Sequence, residues 1–231
     1  MARTLGADFV GVADLAPARE FICRQGGKHL AAYPFALSIG IRLMDALVDA
    51  LPHWEEQRWV AHTFRYHAYE RVNDRLDAIA SRVASLLQNE GYRALPVPAW
   101  GGAPPDTLES LFSHKVAAHL AGLGWIGKSG LLITPQAGPR VRLTSVLTTA
   151  PLEPTGPILE ERCGSCTRCA DICPVKAYKG RAFRPDEPRE MRFDYRACRE
   201  NLHARGRQTG YDFCGLCVYG CPHGRNNPVS A

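Results

Sequence analysis

Eight of the nine cysteines lie between Cys163 and Cys221, and their spacing leaves few folds open. Cys163, Cys166, Cys169 and Cys173 stand as C-x-x-C-x-x-C-x-x-x-C followed by Pro174. A loop of that spacing wraps three corners of a cubane 4Fe-4S cluster, while its fourth thiolate serves a second cluster. A second cysteine group is therefore required. Cys214, Cys217 and Cys221 with Pro222 supply it, and Cys198 completes the eight. The expected ligand sets are Cys163, Cys166, Cys169 and Cys221 around one cluster, with Cys198, Cys214, Cys217 and Cys173 around the other. Thiolate suits the task because it binds iron well and stays deprotonated at neutral pH once metal-bound. Gly164, Gly215 and Gly220 are expected to let the backbone approach the clusters, and the prolines to stop each loop from tightening further.

Two other readings compete for the same cysteines. Paired C-x-x-C also suits tetrahedral zinc, but zinc does not use the triple C-x-x-C-x-x-C run closed by Cys-Pro. A disulfide framework needs an oxidising compartment, which nothing else in the chain suggests. Cys23, alone and far upstream, reads as an ordinary buried thiol.

The cysteine-rich part occupies the last third of 231 residues. What precedes it is long enough to bury a core of its own, so the expected division is residues 1–155 as a cofactor or scaffold domain and 156–231 as a domain for two clusters. Hydrophobic content of 45% with 22% charged residues is that of a soluble globular protein. The opening MARTLGADFVGVADLAPARE carries no apolar run of signal-peptide length, and no stretch approaches the length of a membrane span. A cytoplasmic location away from membranes is expected. The formal net charge is +5, and two clusters at about −2 each would bring it to about +1. Lys176 to Arg207 holds ten Lys and Arg against five acids. That excess offsets the clusters or faces nucleic acid; the run lacks the interleaved aromatics of a single-strand platform.

Ahead of the cysteines, short apolar runs predict strands at Phe9–Leu15, Tyr33–Ile41 and Tyr92–Pro98. Leu43–Leu51 reads as a helix stopped at Pro52. Val72, Leu76, Ile79, Val83, Leu86 and Leu87 recur at helical spacing, predicting a long helix between His67 and Glu90 that ends at Gly91. Asp106 to Gly122 reads as another helix, with Asp106 and Glu109 spaced as a capping box. Gly130–Thr134 and Val141–Leu147 flank Pro-Gln-Ala-Gly-Pro and read as a hairpin. Alternating helix and strand imply an α+β layer structure.

The run Gly122-Leu-Gly-Trp-Ile-Gly-Lys128 admits two readings. Three glycines at a helix end let a backbone lie flat against a large planar or phosphorylated ligand, with Lys128 as a charge and Trp125 as a wall. A tightly packed helix C-terminus explains the same residues. It is not a P-loop, whose spacing is absent. His114, His119 and His223 name no metal site by spacing; they read as surface or capping residues, His223 standing nearest a cluster ligand.

The segment SHKVAAHLAGLGWIGKSGLLITPQAGPRVRLTSVLTTAPL, followed by CGSCTRCADICPVKA and CGLCVYGCP, resembles the epoxyqueuosine reductases and their reductive dehalogenase relatives. The resemblance implies a nitroreductase-like α/β domain that binds cobalamin, followed by a bacterial-ferredoxin-like domain with two 4Fe-4S clusters. It implies Gly122, Gly124, Trp125, Gly127 and Lys128 as cofactor-side residues, and carries the eight cysteines over one for one. The family's proposed proton-donating aspartate falls near Leu108, which makes the neighbouring Asp106 the catalytic candidate, beside its reading as a helix cap. By the same resemblance the chain is a short form without the C-terminal helical repeats that help to hold tRNA. The expected function is an iron–sulfur oxidoreductase that passes single electrons from a low-potential donor protein to a cofactor. Its substrate would be a small molecule or a modified nucleoside, with tRNA as a further partner. The alternative is a ferredoxin-type electron carrier or accessory subunit without a substrate of its own.

Overall fold

In the computed structural model, which describes residues 1–100 and 110–224, the chain enters through β1 (Phe9–Asp14), a single 3-10 turn at Pro17 and α1 (Arg19–Ala31). α1 has no clear signature in the sequence because Gly26 and Gly27 interrupt its pattern; Gly27 takes φ 80° and kinks it. β2 (Phe35–Arg42) returns antiparallel to β1, with Phe9 opposite Gly40 and Asp14 opposite Phe35. Pro52 does not simply stop the next helix. α2 spans only Asp45–Asp49, and the proline starts a 3-10 turn at Leu51–His53, as its fixed φ and missing N–H allow.

α3 (Trp59–Arg65) runs through a π-helical turn, Tyr66–Arg71, into α4 (Val72–Asn89). The α4 side chains Val72, Leu76, Ile79 and Val83 are buried, as their periodicity requires, and Gly91 follows at φ 88°. β3 (Ala94–Val97) comes next. The expected helix from Asp106 is shorter than predicted. α5 covers His114–Leu120 and is capped by Ser113, whose hydroxyl accepts from the Val116 N–H; Ser110–Ser113 is not helical, and Asp106 and Glu109 lie outside the described residues.

The predicted hairpin is also different. Gly130–Thr134 contributes β5 (Leu132–Ile133), which pairs with β4 (Trp125–Ile126), whereas β6 (Val141–Thr148) enters a four-stranded sheet of order β1-β2-β6-β3. β6 is antiparallel to β3, with Ala94 opposite Thr148. The reason is local. Thr134 and Gly138 exchange backbone hydrogen bonds at 2.9 and 2.8 Å, so Pro-Gln-Ala-Gly closes on itself before β6 begins.

By compactness the chain forms two units. One comprises Met1–Arg42, Arg71–Trp125 and Arg142–Glu160; the other comprises Leu43–Glu70, Ile126–Val141 and Glu161–Ala231. The division is not a single cut near residue 155, because the second unit takes two earlier segments into its core. In it, α6 (Arg168–Asp171), α7 (Tyr195–Thr209) and α8 (Leu216–Tyr219) follow. α7 starts where Asp194 accepts from the Ala197 N–H at 3.0 Å and ends at Gly210, φ 83°. Trp54 meets Phe213 edge-on at 5.6 Å, and the buried Arg205 guanidinium lies 4.4 Å over the Trp54 ring. Arg140, 2% exposed, donates to Asp45 at 2.8 Å and Asp49 at 2.6 Å.

Candidate iron–sulfur site

Each cysteine group sits on a loop that runs into a one-turn helix. Cys163 and Cys166 precede α6, Cys169 lies within it, and Cys173 follows. Cys214 precedes α8, Cys217 lies within it, and Cys221 follows. Cys198 projects from the first turn of α7. Gly215 initiates α8 at φ 76°, and a side chain there would strike Leu51 and Phe64. A side chain at Gly220 would strike Ile172. These two glycines therefore serve packing against apolar neighbours, and Gly164, φ 50° with open space around it, serves a turn.

The sulfurs fall into two sets of four. Cys163, Cys166, Cys169 and Cys221 line one hollow of about 340 Å³, part of it open to solvent. Cys173, Cys198, Cys214 and Cys217 form the other set, close enough for Cys217 to feel the charge of the remaining three. Each loop thus sends its last cysteine to the set built mainly from elsewhere. The thiols of the first set surround a space; among the described residues no three His, Cys, Asp or Glu are grouped as around a single ion. The arrangement fits a cage-shaped group.

Electrostatics separates the two sets. Burial, with neighbouring thiolates adding to it, pushes the Cys217 thiol up to about 12 and the Cys198 thiol up to about 11. Burial also raises Cys169. Thiols of this kind release their protons only when a metal takes the proton's place. The Tyr178 hydroxyl hydrogen-bonds to Cys217, and burial followed by the nearby thiolates pushes it well above its ordinary value. Ala177 donates its N–H to the Cys173 sulfur at 3.3 Å. At the other hollow two neighbours, Lys128 and Arg168, are cationic. Lys128 Nζ donates to the Gly164 carbonyl at 2.5 Å and reaches the Cys166 carbonyl at 3.4 Å, and Ser129, Ile133, Pro222 and His223 also line the hollow.

The five cofactor-side candidates are put to other uses. Gly122 is the left-handed residue of its run, φ 72°, and a side chain there would strike Pro157 and Gly156. The Gly124 carbonyl lies 2.9 Å from His119 Nδ1, and Trp125 is only 2% exposed. Gly127 leaves room for Ile133 and for the Cys163 sulfur, which a β-carbon would meet at 3.2 Å. Lys128 clamps the cysteine loop. In the structure these residues make the protein contacts just described. Asp106 lies outside the described residues. His114 is a satisfied neutral histidine: Nδ1 is 3.0 Å from Ser145 Oγ and Nε2 is 2.9 Å from the Pro98 carbonyl.

Two contributors carry no motif in the sequence. Gly138 and Gly224, at φ 54° and 76°, bring the backbones of Ala137–Gly138 and His223–Gly224 into direct contact, which anchors the chain just after Cys221–Pro222. Tyr178 stands outside both cysteine runs; its only signal is a lone aromatic four residues beyond Pro174.

This unit, with eight cysteines in two crossed sets, defines a protein of the double-cluster iron–sulfur class, and residues 162–224 match the 4Fe-4S double cluster binding domain. Similarity extends further up the chain. The tetrachloroethene reductive dehalogenase of Sulfurospirillum multivorans is 38% identical over 118 residues, 46% of this chain and 23% of that protein. An epoxyqueuosine reductase of Bacillus anthracis is 46% identical over 72 residues, 31% of this chain and 18% of that protein. Over its similar stretches the chain resembles epoxyqueuosine reductases and reductive dehalogenases alike. Among solved structures, a catabolic reductive dehalogenase in complex with 3-bromo-4-hydroxybenzoic acid superposes with a TM-score of 0.65 at 22% identity, covering 99% of this chain and 31% of that one. An epoxyqueuosine reductase superposes at 0.60 and 20% identity, covering 96% and 63%. The chain therefore spans less than two thirds of these relatives.

Proposed function

We propose that the chain is an iron–sulfur reductase in which Cys163, Cys166, Cys169 and Cys221 hold one 4Fe-4S cluster and Cys173, Cys198, Cys214 and Cys217 the other. When bound, such clusters accept and give up one electron at a time. The observation that carries the reading is the crossing of the two loops, since Cys221 joins the set of the first loop and Cys173 that of the second. The crossing holds the sites side by side within one small unit, which suits electron passage. The protein's own groups then divide the work: Lys128 fixes the first cysteine loop, whereas Ala177 and Tyr178 donate toward sulfur in the second set.

The electrons would come from a low-potential donor protein and reduce a small molecule or a modified nucleoside, by analogy with the relatives. Cobalamin as organic cofactor, and a nitroreductase-like fold for the first unit, rest on the same analogy: one solved neighbour is described as suggesting a mechanism for B12-dependent dehalogenation. tRNA is a partner by that analogy alone. The second reading, an electron-transfer subunit in the cytoplasm, draws support from the contacts of Gly127 and Lys128 with the first cysteine loop.

The test is anaerobic iron and sulfide analysis with corrin titration. About eight irons per chain are expected. Cys173→Ala should damage chiefly the cluster of the second loop, and Cys221→Ala that of the first. Damage confined to each residue's own loop would overturn the crossed assignment. Corrin binding would favour the reductase; full iron with no corrin or flavin bound under reducing conditions would favour the electron-transfer subunit.

A further inference from the structure

The second cysteine set is approached by a phenol whose position is built into the backbone. Tyr178 forms an isolated antiparallel bridge with Phe193, and the two rings stack with centroids 4.9 Å apart and planes 19° from parallel. On one side Lys179 donates its N–H to the Arg192 carbonyl at 3.0 Å; on the other Asp194 donates to the Ala177 carbonyl at 2.8 Å. Asp194 is also the cap of α7, the helix that carries Cys198. One short clip therefore holds the ring, the helix start and a ligand together. From that clip the Tyr178 hydroxyl reaches the Cys217 sulfur. The hollow of the first set is lined by Lys128, Arg168 and His223, without a phenol.

A phenol is protonated at neutral pH and acts toward a thiolate as a donor. Hydrogen bonds to the sulfurs of an iron–sulfur site are among the factors that set its reduction potential. Uptake of an electron makes the sulfurs more negative, so a donated hydrogen bond strengthens on reduction and eases it. Resting on the assignment of these cysteines as cluster ligands, we propose that Tyr178 is a positioning residue that raises the reduction potential of the Cys173, Cys198, Cys214 and Cys217 cluster through its hydroxyl on Cys217. The two sites are thereby made unequal: one is tuned by a neutral donor, the other lies beside the Lys128 cation held on its loop carbonyls.

Tyr178→Phe keeps the ring and its stack and removes only the hydroxyl. The full chain is prepared anaerobically, its iron and acid-labile sulfide are counted, and both potentials are read by EPR-monitored redox titration. The expected variant has full iron and one lowered potential. At a fixed applied potential, the reduced-to-oxidised ratio of that cluster falls about tenfold, equivalent to about 59 mV for a one-electron couple. The other potential stays in place. In resonance Raman spectra the wild type shows a solvent-deuterium shift in an iron–cysteine stretching band, and the variant loses it. Full iron with both potentials unmoved overturns the proposal, and so does an equal movement of both, which marks a general disturbance. Wild-type protein without iron and labile sulfide overturns instead the cluster reading beneath it.

Discussion

Acid should weaken the first unit through one residue, His114. Burial, outweighing the Pro98 carbonyl contact and joined by the charges of Arg142 and Lys115, lowers its pKa from 6.5 to about 4. The folded value lies below the unfolded one, so the unfolded chain takes up the proton first. The contribution is in place above about pH 6.5 and is lost as pH falls toward 4. Between pH 7.5 and 5.5 those two values give a loss of about 1.3 kcal/mol, and partial exposure of the residue reduces the working figure to about 1 kcal/mol. For a chain of this size that is about 2–4 °C in melting temperature. Clusters have their own acid sensitivity, so the quantity to measure is a difference. Wild type and His114→Gln are melted anaerobically at both pH values, since glutamine can still pair with Pro98 or Ser145 but cannot titrate. Wild type should lose about 2–4 °C more than the variant on acidification. Equal losses in the two proteins would refute the argument.

Two further outcomes follow from the second unit. Lys128→Met removes a cation that donates to the Gly164 carbonyl, a contact of the charged class worth about 1.5–3 kcal/mol, so iron should leave the first site for a chelator about tenfold faster while release from the second is unchanged. The pairing of Arg140 with Asp45 and Asp49 should be asymmetric. The Arg140 side chain is 3% exposed and each acid 41%, so Asp45→Asn with Asp49→Asn strands a buried cation at a cost of about 3 kcal/mol, whereas Arg140→Met leaves acids that water can reach and costs about 1 kcal/mol. Anaerobic urea midpoints compare the two, and a larger loss for Arg140→Met would count against this account.

The elements legible in the sequence are those whose signal is carried within the element. α4 announces itself through Val72, Leu76, Ile79 and Val83, and β1 and β2 through short apolar runs. α7 is silent for a physical reason: of its residues only Arg205 is buried, so it has no apolar face to detect, and its stability comes from the Asp194 cap, the Gly210 end and contacts such as Arg205 over Trp54. The pairing of β6 is hidden because a hairpin is the default for two strands a few residues apart, and here Thr134 and Gly138 close the intervening turn and free β6 for the larger sheet.

The candidate site divides along the same line. Three-residue spacing of cysteines reflects how a loop wraps one object, so the grouping of the cysteines, including the exchange of Cys173 and Cys221, can be written down as an expectation before any coordinates, and the side chains lie grouped that way. Nothing in a cysteine run says what the rest of the chain brings to it. Leu43–Glu70 contributes Leu51 and Phe64 against Gly215, and Gly138 contributes a backbone against Gly224, both from far upstream in the sequence. Glycines make both approaches possible, yet a glycine kept for protein backbone and one kept for a ligand look identical in sequence. The Gly122–Lys128 run shows the consequence: Gly122 yields to Pro157, Gly127 to the Cys163 sulfur, and Lys128 turns to the Gly164 carbonyl. An organic cofactor in this protein therefore has to be sought by binding measurement, with Gly122 and Gly127 treated as packing positions whose substitution disturbs the fold or the first cysteine loop before it can report on a ligand.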